Sequence, residues 1–142
     1  MDIKDFGLPV LAHSAVFWLK DEQGEQLKDE SGEDIGIEFW ALDSVQGLKA
    51  QIAASRARAA MEERSKDLEE DDLLAERIHA IKEINTETAA LMFKGVRGDL
   101  KVNGEEITPE NAAEVMRCLP AHMVRDMVAF VNDPATNYAV KP

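Results

Sequence analysis

The side chains that most often perform catalysis or bind metal are few in this chain. It contains three histidines and one cysteine, Cys118, among 142 residues. Glu76 and His79 are three positions apart, a spacing that places a carboxylate and an imidazole on one helix face, as in di-iron bundles. Such a site needs this pair twice plus two further glutamates, and His13 and His122 have no partner at that spacing. We therefore predict no metal site and interpret Cys118 as a small buried apolar residue.

Motifs of nucleotide binding and nucleophilic catalysis do not occur in the sequence. The chain has no glycine-rich phosphate loop, no dinucleotide-binding glycine pattern and no nucleophile elbow. Carboxylates abound, but in a chain with 28 acidic residues their proximity in sequence indicates little. The sequence predicts a protein that is not an enzyme and uses no cofactor.

The charge balance disfavours polyanionic partners. The chain carries 28 Asp and Glu against 16 Lys and Arg, a formal net charge of −12 at neutral pH. Its field would repel nucleic acid and anionic membrane surfaces. No apolar stretch reaches the ~18 residues that span a bilayer, and residues 1–20 lack the features of a secretory signal. We therefore expect a cytosolic protein that binds neither nucleic acid nor membrane.

Apolar side chains near the C-terminus are the weak candidates for partner binding. Flexible thioethers suit surfaces that accept variable apolar partners. The alternative is that these methionines fill the core between the last two helices. The candidates are Met116, Met123, Met127 and Phe130.

Two pairs of adjacent aromatic residues mark the first two predicted strands. Phe17-Trp18 and Phe39-Trp40 lie in β-branched and aromatic segments. Because neighbours on a strand point to opposite faces, one ring of each pair should face the core. We expect the protein's own helices to cover the other ring. Between the strands, residues 20–34 hold seven acids and two lysines, which predicts a solvated hairpin tip, with an acidic docking loop as the alternative.

The elements together predict a helix-rich α+β fold in one domain, residues 1–142. We expect a long N-terminal β-hairpin (15–42), two central helices (44–93), a short Asn-Gly hairpin followed by two helices (99–133), and a tail (134–142). The five carboxylates within residues 67–72 should separate the central helices. Gly95 and Gly98 should end the second central helix, and Thr108 should cap the helix that follows the short hairpin. We identify no internal repeat in the sequence.

The order of the motifs resembles that of small tail assembly chaperones of long-tailed bacteriophages and prophages. The first hairpin begins at Phe17-Trp18-Leu19-Lys20-Asp21 and closes at Leu42-Asp43-Ser44. After the two central helices follow Gly95-Val96-Arg97-Gly98, Val102-Asn103-Gly104-Glu105, Ile107-Thr108-Pro109-Glu110-Asn111-Ala112 and Phe130-Val131-Asn132-Asp133. The likeness covers nearly the whole chain. It departs from the family at Val96, where a tryptophan is common, and at Tyr138, where a phenylalanine is usual.

This resemblance implies a non-enzymatic protein of phage tail morphogenesis. Such chaperones bind the tape measure protein, keep it soluble and help recruit tail tube subunits, in the host cytoplasm and without remaining in the mature virion. The family is often produced together with a frameshifted, C-terminally extended form. Self-association of this chain is a separate possibility that the sequence leaves open. Two other functions stay open at this point: a structural virion protein of the tail or connector, and an acidic DNA mimic that inhibits a host defence protein.

Overall fold

A computed structural model describes residues 13–133 and Thr136 of the chain. Predictions about the first twelve residues, including the missing secretory signal, and about nearly all of the tail lie outside the described residues. The helix-rich α+β class is confirmed. Its elements are β1 (Ser14–Trp18), β2 (Gly36–Trp40), α1 (Val45–Ser65), α2 (Glu70–Met92), β3 (Phe93–Arg97), β4 (Lys101–Val102), β5 (Glu105–Glu106), α3 (Ala112–Cys118) and α4 (Ala121–Asn132).

The main sheet has three antiparallel strands in the order β1-β2-β3. In β1 and β2, Phe17 pairs with Ile37 and Trp18 with Gly36. The sequence predicted that Gly95 and Gly98 end a helix, whereas residues 93–97 form strand β3. This strand continues directly from α2 and pairs with β2. The Asn-Gly hairpin is present as β4 and β5, with Asn103 and Gly104 both at positive φ.

The hairpin tip is a tandem repeat, which corrects the statement that the chain has none. Residues 20–27 (KDEQGEQL) and 28–35 (KDESGEDI) each form the same tight turn. In each turn an aspartate Oδ1 accepts two backbone amides, from Gln23 and Glu25 at Asp21 and from Ser31 and Glu33 at Asp29, all at 2.9–3.0 Å. Gly24 and Gly32 supply the left-handed backbone, with φ of +79° and +84°.

Three residues spaced eight apart join the repeat into a closed ring of backbone hydrogen bonds. The Leu19 amide donates to the Ile35 carbonyl, Ile35 to Leu27 and Leu27 to Leu19, each at 2.9 Å. The Gln26 side chain seals this ring, since its Nε2 lies 2.9, 3.3 and 3.1 Å from the carbonyl oxygens of Leu19, Leu27 and Ile35. The tip is therefore an ordered substructure in addition to being a solvated charge run.

The central helices form an antiparallel pair with a small-residue contact. Ser44 caps α1, its Oγ accepting from the Gly47 amide at 3.0 Å. The buried residues of α1 are small, Gly47 and Ala50, which allows close approach of other elements. The break between the helices overlaps the start of the predicted acidic run, because α1 ends at Ser65 and α2 begins at Glu70.

The third helix begins later than predicted. Thr108 is not its cap, because α3 starts at Ala112 and the Asn111 side chain instead holds a preceding turn. Asn111 Oδ1 accepts the Thr108 amide at 2.8 Å, and Asn111 Nδ2 donates to the Glu106 carbonyl at 2.9 Å. Asn111 therefore ties the short hairpin to the start of α3.

The core lies between the inner face of the sheet, the end of α2 and the last two helices. Its fully buried large side chains are Phe39, Ile37, Met92, Met116 and Met127. None of the helices in the described part of the chain combines the length and the hydropathy of a membrane-spanning segment.

Candidate functional site

An apolar cleft runs between strand β1 and helix α4. Its volume is about 410 Å³, and it is open to solvent. The aromatic rings of Phe17 and Phe130 meet edge to face across it, with centroids 5.5 Å apart and planes at 70°. The lining residues are Val16, Phe17, Trp18, Lys20, Asp21, His122, Met123, Asp126 and Phe130.

Strand alternation explains how β1 contributes to this cleft. Phe17 packs against the core, and Trp18, on the opposite face of the strand, is 43% exposed. Gly36, the pairing partner of Trp18, leaves the space that the indole uses, since a Cβ at Gly36 would lie 2.8 Å from Trp18 Cε3. Within the described part of the chain, β1 pairs only with β2, so its other edge carries no neighbouring strand.

The aromatic pairs obey the predicted alternation, but the predicted cover by helices is wrong. Phe39 is buried in the core, and Lys94 of β3 covers Trp40, with Nζ 4.7 Å from the ring centroid. Trp18 remains 43% exposed. A solvent-exposed tryptophan beside an apolar cleft is a typical anchor for a binding partner.

The four predicted partner-binding residues separate into two classes. Met116 and Met127 are 1% and 0% exposed and belong to the core, so the alternative reading applies to them and they offer no surface to a partner. Met123 and Phe130 are half-buried and line the cleft. Met127 belongs to the buried core cluster, whereas Met123, four residues earlier on the same helix, packs against the edge of that core and lines the cleft.

The residues weighed for metal or thiol chemistry lie apart from this cleft, except His122. Glu76 accepts Arg64 Nη2 at 3.0 Å, and His79 is exposed. Cys118 is exposed, so its interpretation as a buried residue is wrong. In the part of the chain that the structure describes, no group of three or more His, Cys, Asp or Glu side chains could hold a metal ion.

A polar cluster on the outer face of the sheet is organised around Glu38. Its carboxylate accepts a short hydrogen bond from Ser14 Oγ and lies 3.5 Å from Lys94 Nζ and 3.3 Å from Arg97 Nη2. The hydrogen bond from the Ser14 hydroxyl is the largest cause that lowers the pKa of Glu38 below its ordinary value. Partial burial opposes this shift, and the charges of Lys94 and Arg97 add to it. The cluster joins all three strands.

We expect Glu38→Gln to lower the free energy of unfolding by about 1 kcal/mol at neutral pH. Because the pKa of Glu38 is lower in the folded than in the unfolded chain, its carboxylate contributes fully above the ordinary pKa of glutamate. That contribution is lost as the pH falls through the folded-state pKa. Urea denaturation of both proteins from neutral to acidic pH should therefore show a stability difference that shrinks toward low pH, and a constant difference would contradict the role of the charge.

Two further sets of exposed aliphatic side chains lie outside the cleft. One is on α1 (Val45, Leu48, Ile52) and the other on α2 (Leu74, Ile78, Ile81), and each of the six is more than half exposed. The buried positions of these helices lie elsewhere, at Gly47 and Ala50 on α1 and mainly in the C-terminal half of α2.

The chain matches no protein-family model, no curated protein and no solved structure in comparisons with known proteins.

Proposed function

We propose that this protein is a phage tail assembly chaperone that binds an apolar segment of the tape measure protein in the cleft between β1 and α4. The observation that carries the proposal is an open apolar cleft on a chain of net charge −12. A protein that keeps an aggregation-prone partner in solution needs both an accessible apolar surface and a charge that resists association. The resemblance of the motif order supplies the identity of the partner.

The lining of the cleft suits a partner whose sequence varies along its length. Met123 contributes a flexible thioether, and Phe17, Trp18 and Phe130 contribute rigid apolar area. Lys20, Asp21 and Asp126 place charges of both signs at the same cleft, which favours an apolar segment with polar flanks over a strongly charged ligand. Recruitment of tail tube subunits, action in the host cytoplasm and absence from the mature virion belong to the same proposal.

The alternative of a DNA mimic receives less support from the acidic residues of the tip. Asp21 and Asp29 direct an oxygen at backbone amides of their own turns, so these carboxylates have a structural use. The alternative of a structural virion protein makes a separate prediction, since the chain would then be retained in purified particles.

Co-expression with the tape measure protein tests the proposal. We expect that partner to precipitate alone and to remain soluble and co-purify with the wild-type chain. Met123→Asp should abolish or strongly reduce co-purification, because a carboxylate would enter the apolar cleft. Ala129→Asp is the matched control, since it adds the same charge to the exposed part of α4 without lining the cleft.

Two outcomes would reject the proposal. One is a tape measure protein whose solubility does not change with the wild-type chain. The other is co-purification in which Met123→Asp and Ala129→Asp behave alike, which would move the contact away from the cleft. Circular dichroism of both variants establishes that each is folded.

A further inference from the structure

The outward faces of the two central helices carry matching apolar rows. We call Val45, Leu48 and Ile52 the α1 row, and Leu74, Ile78 and Ile81 the α2 row. The α1 row lies on the side of α1 opposite the alanines that contact α2, because its positions are rotated by about half a turn from Ala50 at ~100° per residue. The α2 row lies on the N-terminal half of α2, whereas most of the buried positions of α2 lie on its C-terminal half.

The spacing within the rows defines how they could meet. The α1 row advances by three and then four residues, and the α2 row by four and then three. When the two helices run antiparallel, Val45 comes level with Ile81, Leu48 with Ile78 and Ile52 with Leu74. A parallel arrangement does not align all three pairs.

The charges beside the rows agree with this antiparallel register. Asp43 precedes the α1 row and Arg56 follows it, whereas Asp71 precedes the α2 row and Lys82 follows it. In the antiparallel register Arg56 meets the acidic end, near Asp71, and Asp43 meets the basic end, near Lys82. All four side chains are exposed and therefore available.

The α2 row also borders a recess that could receive side chains from the α1 row. Ile78 and Ile81 form one wall of a groove of about 280 Å³, and Leu119 and Val124 contribute to the opposite side. Lys82 and Arg125 lie at the same groove, so its cationic end would meet Asp43. Within one chain the two rows face different directions, so they cannot cover each other.

We propose that the α1 row of one copy of this protein docks antiparallel on the α2 row of a second copy. Each copy then offers one row to each of two neighbours, which is a head-to-tail contact and gives assemblies larger than dimers as concentration rises. This self-association uses surfaces distinct from the cleft and does not depend on the proposed chaperone function.

Sedimentation of the full chain across a dilution series tests the contact. We expect the average mass to rise with concentration from the monomer value of 15.8 kDa to beyond twice that value. Leu48→Asp/Ile52→Asp and Leu74→Asp/Ile78→Asp should each remain monomeric, since each lacks one row. Their equimolar mixture should form a species of twice the monomer mass and no larger one, because a single pair of intact rows remains.

Charge reversal tests the register separately. Arg56→Asp and Asp71→Arg should each weaken association, and the two substitutions together in one chain should restore it. Met123→Asp in the cleft should associate like the wild type, whatever its effect on the tape measure protein. A wild-type chain that stays monomeric throughout, row variants that associate normally, or a double reversal that fails to restore association would each overturn the proposal.

Discussion

Met127→Ala is expected to lower the free energy of unfolding by about 2–5 kcal/mol. The Met127 side chain is fully buried in the core beneath the sheet, so its truncation removes apolar contacts and leaves a cavity. Urea denaturation at neutral pH measures the effect. Met127→Leu, which nearly conserves volume, should cost less than about 1.5 kcal/mol.

Met123→Ala is the matched comparison on the same helix. Met123 is half-buried at the cleft, so its truncation should cost less than about 1 kcal/mol while reducing binding of the tape measure protein. The two methionines thus separate stability from binding. Equal losses of stability in the two alanine variants would contradict the division between core and cleft.

Gln26→Glu is expected to destabilise the fold by about 2 kcal/mol at neutral pH. The Gln26 amide donates toward three carbonyl oxygens at 2.9–3.3 Å, and a carboxylate of the same shape replaces the donor by a negatively charged acceptor. The side chain must then leave the ring. Thermal denaturation followed by circular dichroism should show the lower stability.

The tandem repeat provides the control for this substitution. Asp34 occupies the position in the second copy that Gln26 occupies in the first, and it forms an exposed ion pair with Lys28 at 2.8 Å. Asp34→Asn should therefore change stability by only a few tenths of a kcal/mol. Protonation of the carboxylate in the Gln26→Glu variant restores a hydrogen-bond donor, so part of the lost stability should be recovered at acidic pH. A loss of stability that does not depend on pH would argue against the carbonyl ring as its cause.

Much of the fold follows from local patterns that act over a few residues. Alternation correctly predicted that one ring of the Phe39-Trp40 pair faces the core. The acidic run of residues 67–72 correctly predicted a break between two helices, and Asn103-Gly104 correctly predicted a turn. Strand β3 escaped prediction because residues 93–97 contain a glycine and two cations and pair with β2 across more than fifty residues of chain. Such a pairing depends on tertiary contacts that no local pattern reports.

The candidate site was half predictable for a related reason. The sequence identified apolar side chains of the last two helices as candidates for partner binding. Residue type alone does not tell which of them enter the core and which border a cleft, so Met127 and Met123 looked equivalent. The exposed rows of α1 and α2 pose the same difficulty, since a row of aliphatic residues has the same spacing whether its partner is in the same chain or in another. The octapeptide repeat was visible in the sequence, and its shared Lys-Asp-Glu-x-Gly-Glu pattern was the signal.

The ring formed by Leu19, Leu27 and Ile35 limits how this part of the gene can change in length. Three backbone amides and three carbonyls bond to one another in a cycle, so the segment at Ile35 pairs with the segment at Leu19. Repeats in solenoids can be gained or lost one at a time because each unit contacts only its neighbours. Here a third octapeptide would have no free position in the cycle, and deletion of one would leave it open. The geometry of the ring therefore selects two copies of the octapeptide. Tandem duplication is the simplest origin of such a repeat, but a further duplication would disrupt the ring of hydrogen bonds.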